Sequence, residues 1–265
     1  MRIRLFQIDA FTNELFKGNP AAVCPLESWL DDTTLHNIAI ENNLAETAFF
    51  VRLSENRFHL RWFTPEIEID LCGHATLASA FVIFEELKFP LEEIIFETKS
   101  GLLSVKRAGN GYFEMSLPSR IPEKATLPEL IGKALNIQPV EVLKARDYVL
   151  RYNSEDDIKS IQPNSQIINQ INIEPGGIIV TAKGTDEDVD FVSRFFTPQA
   201  AVFEDPVTGS AHCSLVPYWA NELKKNEFRA IQISKRQGEL LCKLEEDRVQ
   251  IKGRATKYLE GIIEI

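Results

Sequence analysis

The sequence predicts an α/β protein built from two similar halves, each a strongly curved sheet around a buried helix. Three observations support this prediction. The segment Arg61–Pro65 returns 133 residues later as Arg194–Pro198, almost half of the 265-residue chain. The helical pattern after Gly73 is apolar nearly all round, with no charge before Glu85, and such a helix is buried on every side. A curved sheet is the simplest structure that encloses it.

A second pair of segments supports the duplication. Gly73-His74-Ala75 corresponds to Gly209-Ser210-Ala211 at an offset of 136, a small drift that insertions would produce. We therefore predict two domains, residues 1–118 and residues 119–265, and the final strand can pair back onto the first half. Two unrelated domains that share turn residues are the alternative.

The remaining helices follow from hydrophobic periodicity and end signals. Residues 31–42 predict an amphipathic helix with Asp31 and Asp32 near its start. Residues 127–135 predict another helix, after a proline-rich linker at 118–122. The helix that begins at Ser210 contains Pro217, which favours a kink.

Composition excludes several classes of function. The net charge is −10, which disfavours binding to nucleic acids and to anionic membranes. Neither a membrane span nor a signal peptide is predicted, so we expect a cytoplasmic protein with reduced thiols. The four cysteines and four histidines are scattered without metal-ligand spacing, so we expect no metal site.

The two helix starts are candidate anion sites. Gly73 and Gly209 each precede a predicted buried helix, where free N–H groups and the helix dipole attract negative charge. Pseudo-symmetry would place both ends in one cleft between the halves. An acidic protein could hold a small carboxylate there on backbone dipoles alone. The alternative is that both glycines only permit tight turns.

Four other residues are candidates for the same cleft. Glu46 is a single carboxylate among apolar neighbours, and partial burial would let it exchange protons near neutrality, unless it lies exposed at a strand edge. Cys72 near a helix start is either an activated thiol or an inert one. Asp205 and Asn19 suit turns, and as an alternative they suit a polar cleft lining.

Taken together, these motifs resemble the PhzF-type proteins, named for an isomerase of phenazine biosynthesis, which share the diaminopimelate epimerase fold. The resemblance implies a homodimeric, cofactor-free isomerase in which Glu46 moves a proton between carbons of a small carboxylic acid. It implies that His74, Asp205 and Ser210 are further cleft residues. The segments that carry it are Phe11-Thr12, Phe16–Val23, Glu46-Thr47, Arg61–Pro65, Asp70–Thr76 and Glu204–His212.

The resemblance leaves alternatives open. Amino-acid epimerases of this fold use one cysteine per domain, and here Cys72 stands at the first position while Asp205 is expected at the second. A two-base epimerase that pairs these residues is therefore one alternative. A serine hydrolase using Ser210 with His74 and Asp205 is a second, although the chain lacks a G-x-S-x-G motif. A metabolite-binding protein without turnover is the third.

Overall fold

The computed structural model describes residues 1–173, 176–198 and 202–265. Contacts divide the chain into two units. The first comprises residues 1–116 and 251–265, and the second comprises residues 117–250. Among the described residues, no helix is long and apolar enough to cross a membrane.

Strands dominate both units. In chain order the strands are β1 (Arg2–Ala10), β2 (Asn19–Leu26), β3 (Glu46–Arg52), β4 (Arg57–Phe63), β5 (Glu68–Ile69), β6 (Glu93–Thr98), β7 (Gly101–Arg107), β8 (Phe113–Pro118), β9 (Glu123–Lys124), β10 (Glu141–Lys144), β11 (Tyr148–Arg151), β12 (Ile178–Lys183), β13 (Phe191–Phe196), β14 (Glu204–Asp205), β15 (Glu227–Gln232), β16 (Gly238–Glu245), β17 (Arg248–Gly253) and β18 (Ala255–Glu264). The helices are α1 (Asp32–Asn42), α2 (Gly73–Phe81), α3 (Glu129–Ala134), α4 (Glu155–Ser160), α5 (Ser165–Ile168) and α6 (His212–Leu223).

The first unit is a mixed sheet with the strand order β18-β1-β2-β3-β4-β6-β7-β8. Its parallel pairs are β2 with β3 and β4 with β6. Parallel neighbours need a crossover connection, and α1 and α2 lie in these two connections. The C-terminal strand β18 runs antiparallel to β1, from Arg2 opposite Glu264 to Ala10 opposite Ala255.

Helix α2 is the buried helix of the first unit. All residues from Gly73 to Ala80 are buried, and the helix contacts β1, β2, β3 and β18. Its two hydroxyl residues satisfy themselves locally, because Thr76 Oγ1 donates to the Cys72 carbonyl and Ser79 Oγ donates to the Ala75 carbonyl. A π-helical turn at Val82–Glu86 follows the helix. The predicted mixed α/β class with curved sheet is confirmed.

The second unit repeats this plan around α6. Its strand order is β9-β10-β11-β12-β13-β15-β16, with parallel pairs β11 with β12 and β13 with β15. A 3₁₀ turn at Gly209–Ala211 leads into α6, whose residues 212–219 are buried and include Pro217. Within the core, the Trp219 indole N–H donates to Thr181 Oγ1 at 3.0 Å.

The repeated Arg-x-Phe-Thr-Pro motif makes the same contacts in each unit. In the first unit, Arg61 binds both oxygens of Glu68, with Nε to Oε1 at 2.8 Å, and stacks over Phe63. In the second, Arg194 binds both oxygens of Glu204, with Nε to Oε1 at 2.7 Å, and stacks over Phe196. Bidentate arginine–carboxylate pairs fix orientation as well as distance.

Each pair attaches a long strand to the short strand that leads into the buried helix. We call residues 68–72 and 204–208 the site segments, because they carry Cys72 and Asp205, respectively. The side-chain hydrogen bonds of Arg61 and Arg194 therefore hold the site segment of each unit in place.

Gly253 offers a test of the packing around α2. A Cβ atom there would lie 2.4 Å from Cδ1 of buried Phe11 and 2.9 Å from Cδ2 of buried Leu77. We expect Gly253→Ala to lower the free energy of unfolding by about 1–3 kcal/mol through overpacking. Gly261→Ala is the control, because its Cβ would approach no other atom more closely than 3.8 Å. Equal urea midpoints for the two variants would contradict the predicted packing.

Candidate active site

Glu46, Cys72 and His74 meet in the first unit. Glu46 is the first residue of β3, Cys72 caps the N-terminus of α2, and His74 lies in the first turn of that helix. His74 Nε2 is 3.0 Å from Glu46 Oε2, and His74 Nδ1 is 3.5 Å from Cys72 Sγ. The imidazole therefore lies between a carboxylate and a thiol.

The cluster is shielded from solvent and is incompletely hydrogen-bonded. The side chains of Glu46 and His74 are 16% and 6% exposed. Despite their close approach, neither Glu46 Oε2 nor His74 Nε2 has a hydrogen bond of regular geometry within the described structure. Buried polar atoms are normally satisfied, so this pair of atoms is available to a third group.

The charges in the cluster are coupled. Burial alone would lower the pKa of His74, but the negative charges and hydrogen bonds of Cys72 and Glu46 outweigh it and raise the pKa well above its usual range. Burial, together with the Glu46 charge, raises the pKa of the Cys72 thiol. At neutral pH the thiol is therefore protonated and the imidazole is positively charged beside the carboxylate.

The same three residues could hold a metal ion, since their ligand atoms lie within 4.8 Å of one another. Metals bind thiolate and neutral imidazole, whereas burial here keeps the Cys72 thiol protonated. Both nitrogens of His74 already face a neighbour, the thiol on one side and the carboxylate on the other. The donor set suits proton transfer better than metal binding, and the expected absence of a metal stays a prediction.

Asn19 lies near this cluster along the sheet. It is the first residue of β2, it is fully buried, and it stands two residues before Ala21, the register partner of Glu46. Side chains two residues apart on a strand lie on one face of the sheet. Asn19 is thus on the sheet face of Ala21, at the end of β2 where Glu46 begins the neighbouring strand.

The other predicted residues lie in the second unit. Asp205 ends the short strand β14, Gly209 begins the 3₁₀ turn before α6, and Ser210 follows it half-buried. The Thr208 hydroxyl donates to Asp205 Oδ2 at 2.5 Å. That the two groups of residues share one cleft stays a prediction.

The helix caps correct one assignment of the sequence analysis. Cys72 is the N-cap residue directly before Gly73, and the N-cap residue directly before Gly209 is Thr208. Thr208, not Asp205, therefore stands at the position of Cys72, and Asp205 corresponds to Ile69. The misassignment arose because the motif was compared by chemical type, whereas the cap fixes the residue-by-residue register.

The motif also contains His212, a buried neutral histidine. Its Nδ1 lies 2.9 Å from the Thr208 carbonyl, while burial lowers its pKa to about 4. An unfolded histidine has a pKa of about 6.5, so on acidification the unfolded chain binds its proton first. Its contribution to stability is therefore complete above about pH 6.5 and is lost as the pH falls toward 4.

We expect this titration to lower the free energy of unfolding by about 3 kcal/mol between pH 6.5 and pH 4. Urea unfolding at several pH values checks it by comparison with His212→Asn, whose amide can still donate to the Thr208 carbonyl but does not titrate. The difference between the two proteins should shrink as the pH falls. A difference that is constant with pH would refute the assignment.

Comparison with known proteins agrees with this geometry. A family profile described as "Phenazine biosynthesis-like protein" matches residues 8–261. An uncharacterized isomerase of Pseudomonas aeruginosa is 45% identical over the whole of both chains, and one of Halalkalibacterium halodurans is 47% identical over 98% of each. A crystal structure of a PhzF-family protein from Enterococcus faecalis superposes with a TM-score of 0.94 at 42% identity, with both chains fully covered. The profile match, the sequence identities and the shared fold together make this chain a member of the PhzF-like family of phenazine biosynthesis-like proteins.

Proposed function

We propose that the protein is a cofactor-independent isomerase that moves a proton between carbons of a small, cyclic or unsaturated carboxylic acid. The proposal rests on one observation above all, the buried contact between Glu46 Oε2 and His74 Nε2. Membership of a family whose curated relatives are named isomerases supports the reaction class.

Glu46 is the group we assign to the proton transfer. A carboxylate that removes a proton from carbon must face the substrate, and Glu46 Oε2 has no regular hydrogen bond that would occupy it. The positive His74 supplies a counter-charge at 3.0 Å. One base can take the proton from one carbon and return it to another on the same face of the substrate.

Helix α2 would stabilise the intermediate. Removal of a proton from carbon leaves negative charge on the substrate, and the first N–H groups of α2 are not used within the helix. The helix dipole favours that charge as well. By the motif correspondence, Gly209, Ser210 and Asp205 would serve the same substrate, which stays a prediction, as do the homodimer and the cytoplasmic location.

The test is untargeted. Purified protein is incubated in D₂O with a metabolite extract, and carboxylic acids are followed by mass spectrometry and NMR. We expect one acid to disappear and an isomer of the same composition to appear, with partial deuterium incorporation at carbon. A product that has gained water would show hydrolysis instead. Inversion at a single carbon, abolished equally by Glu46→Gln and Cys72→Ser, would show a two-base epimerase.

A further inference from the structure

The two units hold their site segments with the same two contacts. The first is the bidentate arginine–glutamate pair already described. The second is a serine from the following hairpin. Ser100 Oγ donates to the Asp70 carbonyl at 2.9 Å, and Ser234 Oγ donates to the Pro206 carbonyl at 2.7 Å. Because both contacts occur in both units, they belong to the shared scaffold.

Gln232 makes contacts that have no counterpart in the first unit. Its Oε1 accepts from the Thr208 N–H at 2.8 Å, and its Nε2 donates to the Asp205 carbonyl at 2.7 Å and to Thr208 Oγ1 at 3.1 Å. Gln232 is the last residue of β15 and is fully buried. The last residue of the equivalent strand β6 is Thr98, whose hydroxyl donates within its own hairpin, to the Gly101 carbonyl.

The direction of these hydrogen bonds follows from chemistry. A backbone N–H can only donate, so the Gln232 atom that faces the Thr208 N–H must be the oxygen. The other end of the amide is therefore the NH₂ group, which must donate to Thr208 Oγ1. With Oγ1 as acceptor there, the hydroxyl proton points to Asp205 Oδ2. The chain of donation runs from Gln232 through Thr208 to Asp205.

We propose that Thr208 and Gln232 are positioning residues that hold the Asp205 carboxylate in one orientation and fix its Oδ2 as a hydrogen-bond acceptor. A role for Asp205 in turnover rests on the proposed function, whereas the orientation does not. The contacts are specific to the unit that carries Asp205, while the scaffold contacts are duplicated. This difference separates a functional device from a general one.

The first experiment needs no substrate. Solvent exchange of the Gln232 side-chain amide protons is followed by ¹H–¹⁵N NMR, and the signal is assigned by its loss in Gln232→Glu. Thr208→Val keeps the shape but removes the hydroxyl, so we expect the amide protons to exchange roughly tenfold faster or more. Thr208→Ser keeps the hydroxyl and should preserve the slow exchange. Ser234→Ala removes only a scaffold contact and should preserve it too.

The second experiment uses the acid that the wild-type protein converts. We expect Thr208→Val to lower kcat by roughly 10–100-fold with a small change in KM, and Thr208→Ser to restore most of it. Unchanged amide exchange in Thr208→Val, or equal behaviour of the valine and serine variants, would overturn the proposal. Normal turnover in Glu46→Gln would overturn the proposed function instead and would leave the amide exchange result standing.

Discussion

Glu46→Gln is expected to lower kcat by roughly 10²–10⁴-fold, the usual loss when a general acid–base group is removed. Glutamine keeps the size of the side chain but cannot take a proton from carbon. Substrate affinity should change little, because the rest of the binding surface is preserved. Steady-state kinetics on the acid identified by metabolite depletion gives kcat and KM separately.

Two control variants accompany this measurement. Glu41→Gln makes the same chemical change at an exposed position of α1 and should leave kcat unchanged. Cys72→Ser should be far milder than Glu46→Gln, because a one-base proton shift does not need the thiol. Near-normal kcat in Glu46→Gln would contradict the assignment of the base.

The same variant gives a result that needs no substrate. The Glu46 charge contributes to the raised pKa of His74, so its removal should bring that pKa down toward the usual range. NMR titration of the imidazole Cε1–H signal measures the change. A His74 pKa that stays as high in Glu46→Gln would show that the carboxylate and imidazole are not coupled.

Arg61→Met is expected to lower the free energy of unfolding by about 3 kcal/mol at pH 7, because it leaves the Glu68 carboxylate largely buried without its main partner. Arg61 holds the pKa of Glu68 at about 2, against about 4.3 in an unfolded chain. The stabilisation is therefore complete above about pH 4.3 and is lost as the pH falls toward 2. Urea unfolding at pH 7, 5, 4 and 3 measures it.

The difference between wild type and Arg61→Met should accordingly shrink on acidification. It should not vanish, because the stacking of Arg61 over Trp29 and Phe63 does not depend on pH. Lys99→Met is the matched control: Lys99 also contacts Glu68, but its side chain is 56% exposed, so its loss should cost at most about 1 kcal/mol. Equal losses for the two variants would contradict the assigned role of Arg61.

Much of the fold could be predicted from local patterns. The apolar run after Gly73 predicted a helix buried on all sides, and α2 is buried from Gly73 to Ala80. The pattern at 31–42 predicted a helix with early acidic residues, and α1 spans Asp32–Asn42 with Asp31 as its N-cap. These features depend on hydrophobic periodicity and on end signals, which are properties of neighbouring residues.

The candidate site could be predicted only in part. Glu46, Cys72 and His74 were candidates by residue type, but their grouping requires β3 to end beside the start of α2, which no local pattern contains. Gln232 had no sequence signal at all, since a glutamine at the end of a strand is unremarkable until its three hydrogen bonds are known. Thr208 was within a recognised motif but was mistaken for a spacer before Gly209.

The sequence by itself determined the fold class, the family and the residue types of the candidate site, because hydrophobic periodicity and conserved spacing of motifs are written along the chain. The tertiary structure alone decided which of those residues touch, which one stands at the position of Cys72, and which way the hydrogen bonds near Asp205 run. Those properties depend on burial and on contacts between residues far apart in sequence. They set the charge of His74, the protonation of the Cys72 thiol and the orientation of Asp205.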